Sequence, residues 1–212
     1  MKSQQSVVGH APPAMFTSSA APPPRQSHET LWDGTAVIVR DLEPDDLSAV
    51  LALADDLSGD ELYLRFFTYH PKYLAEWAHS VTEPAPGSVA LGVFAGDALL
   101  AVGNYLATSK LRTAEIAIVV AHHNHHRGIA TALLKQLGEH AKNAGTQRLV
   151  ADVLVQNRDM RQVIADAGWP YTRRRNDEVL TIEVDLTNTS RPDLAMSARP
   201  AHSPLSVTCS AR

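Results

Sequence analysis

One cysteine, Cys209, is all that the 212 residues contain, so no disulfide can form within the chain and no oxidising compartment is required. Long apolar runs are missing too. The greasiest stretch, 149–155, is strand-sized, well short of the ~20 residues that span a bilayer. The N-terminal MKSQQSVVGHAPPAMF has no apolar region of the roughly 7–15 residues that a secretory signal needs. A basic surplus is also absent: 19 Lys and Arg against 23 Asp and Glu leave a net charge of -4. That balance argues against a general nucleic-acid or acidic-membrane binder, although local patches escape a net count. Together these absences imply a soluble, cytoplasmic protein with neither nucleic acid nor membrane as partner.

What is present divides the chain in three. Residues 1–30 are rich in Ala, Pro, Ser and Gln, with no apolar periodicity that could bury a face, and are expected to be a disordered leader. Residues 187–212 return to Thr, Ser, Pro and Ala and are expected to be a disordered tail. The folded domain is expected over 31–186. Within it the patterns predict a strand at 36–40, a helix opening at Asp45-Asp46, further helices at 60–67 and 71–80, and a hairpin of strands 88–94 and 99–106 around Gly96-Asp97. A strand at 114–120 follows, then a polar loop, then a strongly amphipathic helix with Ile129, Leu133, Leu137 and Ala141 four residues apart. The near-continuous apolar run 148–155 reads as a strand buried on both faces. A helix carrying Met160, Val163, Ile164 and Ala167 and a final strand pair, 169–175 and 179–185, complete a mixed α/β sheet with helices on its faces.

The chemistry is concentrated in AEIAIVVAHHNHHRGIATALLKQL, where a strand ends in a short loop and Gly128 opens a long helix. The first N–H groups of that helix lack intrahelical acceptors, and the helix dipole adds positive potential, so the site suits an anion. Gly128 lets a phosphate approach the main chain, Ala130 keeps the same side open, Thr131 can add a hydroxyl and Arg127 a charge. A glycine at a helix start beside a basic residue is also common in purely structural loops.

The whole arrangement resembles the GNAT acetyltransferases, whose pyrophosphate loop reads Gln/Arg-x-x-Gly-x-Gly/Ala. The run His125-His126-Arg127-Gly128-Ile129-Ala130 fits it, with His125 departing at the first position. DGTAVIVRDLEPDDL and LSGDELYLRFF look like the opening of the bacterial protein-lysine acetyltransferase (Pat-like) branch, and the resemblance runs over about 150 residues. It implies the GNAT acyl-CoA N-acyltransferase fold, a mostly antiparallel sheet with helices on both faces. It also implies acetyl-CoA as co-substrate, no metal, and a primary-amine acceptor, a protein lysine first of all. Ile118, Val119 and Val120 would meet the pantetheine arm as an added strand does. His126, Arg127, Gly128, Ile129, Ala130 and Thr131 would take the pyrophosphate. Asn157 matches a cofactor-contacting asparagine of the family, and Trp169 stands where a Phe is usual.

Acyl transfer to an amine requires a base, because an ammonium holds its proton tightly at neutral pH. Glu115 matches the glutamate assigned as base in the protein-lysine branch; its bland reading is an exposed strand carboxylate. Asp152 interrupts an apolar strand where other branches carry a catalytic glutamate, and serves either as base or as a structural hydrogen-bonding partner. Ile164 stands where many GNAT enzymes have a tyrosine that protonates the departing thiolate. The histidines His122, His123, His125 and His126 fall in one loop without spaced partner elements, a weak metal pattern. Acceptors that are small amines, a non-catalytic acyl-CoA sensor, and either a monomer or a homodimer remain open on these grounds.

Overall fold

The computed structural model describes residues 26–188. The expectations for 1–25 and 189–212, and Cys209 with them, lie outside those residues. Eight strands form one sheet: β1 (Gln26–Thr30), β2 (Ala36–Asp41), β3 (Ser88–Ala95), β4 (Ala98–Ala107), β5 (Thr113–Val120), β6 (Arg148–Leu154), β7 (Tyr171–Asn176) and β8 (Val179–Asp185), in spatial order β1-β2-β3-β4-β5-β6-β8-β7. Helices α1 (Leu47–Asp55), α2 (Gly59–Phe66) and α3 (Leu74–Thr82) come between β2 and β3; α4 (Ile129–Asn143) and α5 (Arg158–Ala167) flank β6 in sequence. All neighbours pair antiparallel except β5 and β6. This is the expected mixed, mostly antiparallel sheet with helices on both faces.

Alternation along the strands divides the core into two layers. Ala101 and Tyr105 of β4 face the layer built on Leu133, Leu134, Leu137 and Ala141 of α4, with Ile164 of α5. Val102, one residue out of phase, faces the other layer with Val50 and Leu53 of α1 and Ala78 and Val81 of α3. The four-residue spacing along α4 therefore becomes a buried stripe.

Three expectations change. Residues 26–30, assigned to the leader, are β1, paired along its whole length with β2. An edge strand of sequence QSHET has polar side chains on both faces, so it carries no alternation to read; its Ser27 and Glu29 accept hydrogen bonds from Gln136 of α4 at 2.7 and 2.9 Å. Helix α3 begins at Leu74 rather than 71 and runs on to Thr82, which brings Val81 into the core at 1% exposure. Strand β6 is fully buried on one face only: Leu149, Ala151 and Val153 are buried, whereas the other face is half-buried at Val150, exposed at Asp152 and buried again at Leu154. The main contacts of α1–α3 with the sheet fall on β3, β4 and β5.

Gly138 sits mid-helix in α4, where glycine costs about 1 kcal/mol relative to alanine. A Cβ there would collide with the ring of Trp169, so the helix gives up propensity to seat an indole. Gly138→Ala is expected to destabilise the protein by about 1–3 kcal/mol despite the better helix former. Urea unfolding checks it, and Trp169→Leu in the same chain should recover part of the loss.

Beyond that helix, the polar edge strand gives a second expectation. A fragment of residues 31–186 should melt below one of residues 26–188, because it loses the β1 pairing and both Gln136 bonds, about 1–3 kcal/mol in all. Thermal melts followed by circular dichroism compare the two.

Candidate functional site

Strand β5 pairs with β4 from Ala114 to Val120, but with β6 only at Thr113, Ala114 and Glu115. Beyond Glu115 the pairing of the two parallel strands ends, and alongside lies a cleft of about 250 Å³ that is open to solvent. Ile118, Val119 and Val120 form its strand wall, Gly128, Ile129, Ala130 and Thr131 its floor at the start of α4, Asn157, Met160 and Val163 the α5 side, and Glu61, Leu64 and Arg65 the α2 side.

The floor has the geometry of an anion cradle. Gly128 is the N-cap residue of α4 at φ +84°, and no side chain caps the helix, so the first-turn N–H groups keep their donor capacity for a ligand. His126 is also left-handed, at φ +58°, a conformation that costs a non-glycine residue of order 1 kcal/mol. Gly128 is required for a second reason. A Cβ on it would stand 2.8 Å from Cε2 of Trp32, whose indole is 73% exposed and lines the same cleft. Sequence reasoning missed Trp32, since a lone exposed aromatic in a turn carries no periodicity.

Arg127 departs from the role expected of it. Its side chain is held by Asp33, Thr35 and Asn124, with Nε–H donating to Asp33 Oδ2 at 2.7 Å and Nη2–H to Thr35 Oγ1 at 2.7 Å. Its carbonyl accepts from the Trp32 N–H at 3.3 Å. The guanidinium thus ties the loop to the β1–β2 turn and is not on the cleft wall. The Thr35 N–H first, and Arg127 after it, hold the Asp33 carboxyl down to about 2. His126 lines the cleft with an exposed side chain 4.0 Å from Asp159. Asn157 caps α5, its Oδ1 accepting from Met160 N–H at 2.9 Å, so its amide NH₂ is the end left for a ligand. Ile164 is 2% exposed and belongs to the core.

On the α2 side, Ser58 and Glu61 form a reciprocal capping box, with the Ser58 N–H and Oγ–H donating to Glu61 Oε2 at 2.8 and 2.7 Å. The same carboxylate meets His122 Nδ1 at 3.1 Å and His125 Nε2 at 3.1 Å. His125 Nε2 is also 3.1 Å from the Val120 carbonyl oxygen; both neighbours accept, so this nitrogen carries the proton. Burial raises the Glu61 carboxyl, but the Ser58 hydroxyl and N–H and His122 more than offset that and leave it below its ordinary value. His122 and His125 therefore fasten the loop to α2. Among the described residues no group of three or more His, Cys, Asp or Glu is placed to hold a metal ion.

Of the two carboxylates singled out, Glu115 is exposed at the root of the divergence, paired across β6 with Val150. Asp152, two residues beyond Val150, lies on the same sheet face and accepts the Thr181 hydroxyl at 2.6 Å. Neither lines the cleft. Asp152 is exposed, against the expectation of a carboxylate within a buried strand. Arg173, Arg174 and Arg175 are exposed on β7.

Residues 51–169 match the acetyltransferase (GNAT) family. The fold is similar to the crystal structure of the GNAT domain of a PAT from S. lividans, at 30% identity and TM-score 0.69 over 76% of this chain and 96% of that one. It is similar in fold to yncA, a putative acetyltransferase from Salmonella typhimurium with its cofactor acetyl-CoA, at 14% identity and TM-score 0.60 over 74% of this chain and 98% of that one. The paia N-acetyltransferase from Thermoplasma acidophilum in complex with coenzyme A is another, at 17% and 0.55 over 70% and 98%. No curated protein matches the sequence. No helix among the described residues is long and apolar enough to cross a membrane. The matched segment holds the diverging strands, the uncapped helix start and the α2 wall, and by that match this chain belongs to the GNAT acetyltransferase family.

Proposed function

We propose that the chain is an N-acetyltransferase that uses acetyl-CoA to acylate a primary amine, a protein lysine side chain in the first instance. The observation that carries the reading is the continuity of one cleft from the uncapped start of α4, past Ile118, Val119 and Val120 where β5 is no longer paired with β6, to the α2 wall. The similarity to the GNAT domain of the S. lividans PAT is in keeping with the Pat-like branch, and the lysine acceptor is what the sequence's resemblance to that branch implies. Acetyl-CoA supplies the activated acyl group. The α4 main chain at Gly128–Thr131 would take its pyrophosphate, and the β5 edge at Ile118, Val119 and Val120 would align its pantetheine arm by main-chain hydrogen bonds. His126 and the Asn157 amide can reach the same ligand, whereas Arg127 serves by holding the loop.

Glu115 acts as general base. The acceptor arrives as an ammonium; its proton passes to the Glu115 carboxylate through water, since the carboxylate lies at the root of the divergence and outside the cleft wall. The neutral nitrogen then attacks the thioester carbon, the new C–N bond forming as the C–S bond breaks. β5 main-chain N–H groups polarise the carbonyl. With Ile164 buried and unable to donate, the sulfur departs as thiolate and is protonated by solvent; a thiol's ordinary pKa of about 8.5 permits this.

Glu115→Gln keeps size and hydrogen bonding but cannot take the proton, so kcat should fall about 10²–10⁴-fold with acetyl-CoA affinity near wild type. Asp152→Asn should cost little turnover and little stability, because its carboxylate is exposed. Full kcat in Glu115→Gln, with an inactive and stable Asp152→Asn, would move the base to β6.

Gly128→Glu sets a carboxylate against the pyrophosphate and should weaken acetyl-CoA binding at least about 100-fold, or roughly 2.7 kcal/mol. Calorimetry is best done in a Trp32→Ala background, which removes the collision with the indole. Unchanged affinity in that folded double variant would take the phosphate site away from α4.

A further inference from the structure

The α2 wall contains a cation with too few partners. Arg65 forms part of the cleft, yet among the described residues no carboxylate reaches ion-pair distance of it, and its one hydrogen-bond acceptor is Asn104 Oδ1, 3.4 Å from Nη2. Its Nε is buried with no acceptor. The Phe66 ring lies 4.8 Å and the Trp77 ring 5.9 Å from the guanidinium carbon. Those rings attract the charge but do not accept the five N–H donors, which lie in the guanidinium plane. Burial brings this guanidinium down to about 10, with Glu115 working against the shift, so it stays charged at neutral pH. A partly buried charge with one long hydrogen bond and an unpaired buried Nε is costly, and an anion carried in by a ligand would offset that cost.

We infer that Arg65 is a specificity-determining residue that receives a carboxylate carried by a substrate, set a few ångströms from the amine or the thioester in the cleft. A guanidinium fork fits a carboxylate with two parallel hydrogen bonds. The neighbouring charges agree with this. Glu61, the other ionised side chain on the α2 wall, already serves Ser58, His122 and His125. A purely cationic acceptor would meet Arg65 as a like charge in a partly dehydrated cleft, where screening is weak. An acceptor with both an amine and a carboxylate is matched by Glu115 and Arg65 together. A carboxylate at the far end of the acyl group would satisfy the same guanidinium from the other substrate. The inference rests on the acyltransferase reading above and names what that reading leaves open, the charge pattern of the substrate.

Two matched pairs distinguish the sources. In the acceptor arm, lysine and cadaverine, which differ by one carboxylate, are compared with acetyl-CoA as donor. In the acyl arm, succinyl-CoA and butyryl-CoA are compared with cadaverine as acceptor. Wild type should favour the carboxylate-bearing member in one arm by at least about 10-fold in kcat/KM, the scale of a charge-assisted bidentate contact. Arg65→Gln should bring that ratio close to one, and Arg65→Lys, which keeps charge but loses the fork, should fall between. A ratio near one in both arms of the wild type overturns the inference whatever the variants do. So does a ratio that persists in a folded Arg65→Gln protein. If acetyl-CoA binds but neither these amines nor the lysines of a panel of folded proteins are acylated, the acyltransferase reading fails by itself. The same four ligands titrated calorimetrically into wild type and Arg65→Gln then decide the carboxylate site by affinity, with the same ratios expected and the same results overturning it.

Discussion

The parting of β5 from β6 after three paired residues is the constraint on which the site depends. Up to Glu115 the two strands share a ladder; from Ile116 onward β5 is paired on its β4 side alone. Backbone N–H and C=O groups in the middle of a sheet have no cheap alternative to a partner, so an edge held open there is a standing acceptor for an extended ligand. The sheet tolerates the opening because both strands are anchored elsewhere, β5 along β4 and β6 along β8 for its full length. The cleft is therefore made by backbone pairing, and side chains only line it.

Two local clamps hold the loop that closes one end of this opening. The β1–β2 turn takes Arg127 through Asp33 and Thr35, and α2 takes His122 and His125 through Glu61. Between them His126 and Gly128 adopt left-handed conformations. That strain persists where surrounding contacts over-determine the backbone, which is what the clamps supply. The arrangement turns the Arg127 guanidinium and the His122 imidazole to supporting contacts, while His126 and the main chain at Gly128 stay on the cleft. Glu61 links three features at once, since the carboxylate that starts α2 also fixes the loop and leaves Arg65, four residues on, as the free charge of the wall.

Elements with a buried stripe were legible without coordinates. Helix α4 declares itself through Ile129, Leu133, Leu137 and Ala141, and β5 through the alternation around Ile116 and Ile118, because burial on one face imposes a period. The uncapped helix start at Gly128 was legible because a strand, a loop and a glycine at a helix start form a local unit whose geometry follows from backbone dihedrals. Strand β1 was not, as an edge strand of polar residues has no face to bury. The extent of burial on β6 was misread, because an apolar run shows hydrophobicity and not which helices reach it; Asp152 is exposed for want of a helix over that face.

By itself the sequence determined the family of fold, a glycine-opened helix start whose N–H groups suit an anion, and a carboxylate within β5. Those are properties of residue type and of spacing along the chain. Only the tertiary structure decided that Arg127 is a tether, that Trp32 rests on Gly128, that Glu61 bridges two histidines, and that Arg65 stands in the wall without a counter-ion. Each of these turns on the meeting of segments some 60 to 95 residues apart, or on a partner that is missing from such a meeting. Long-range juxtaposition is set by the packing of the whole sheet, and no local period in the chain encodes it.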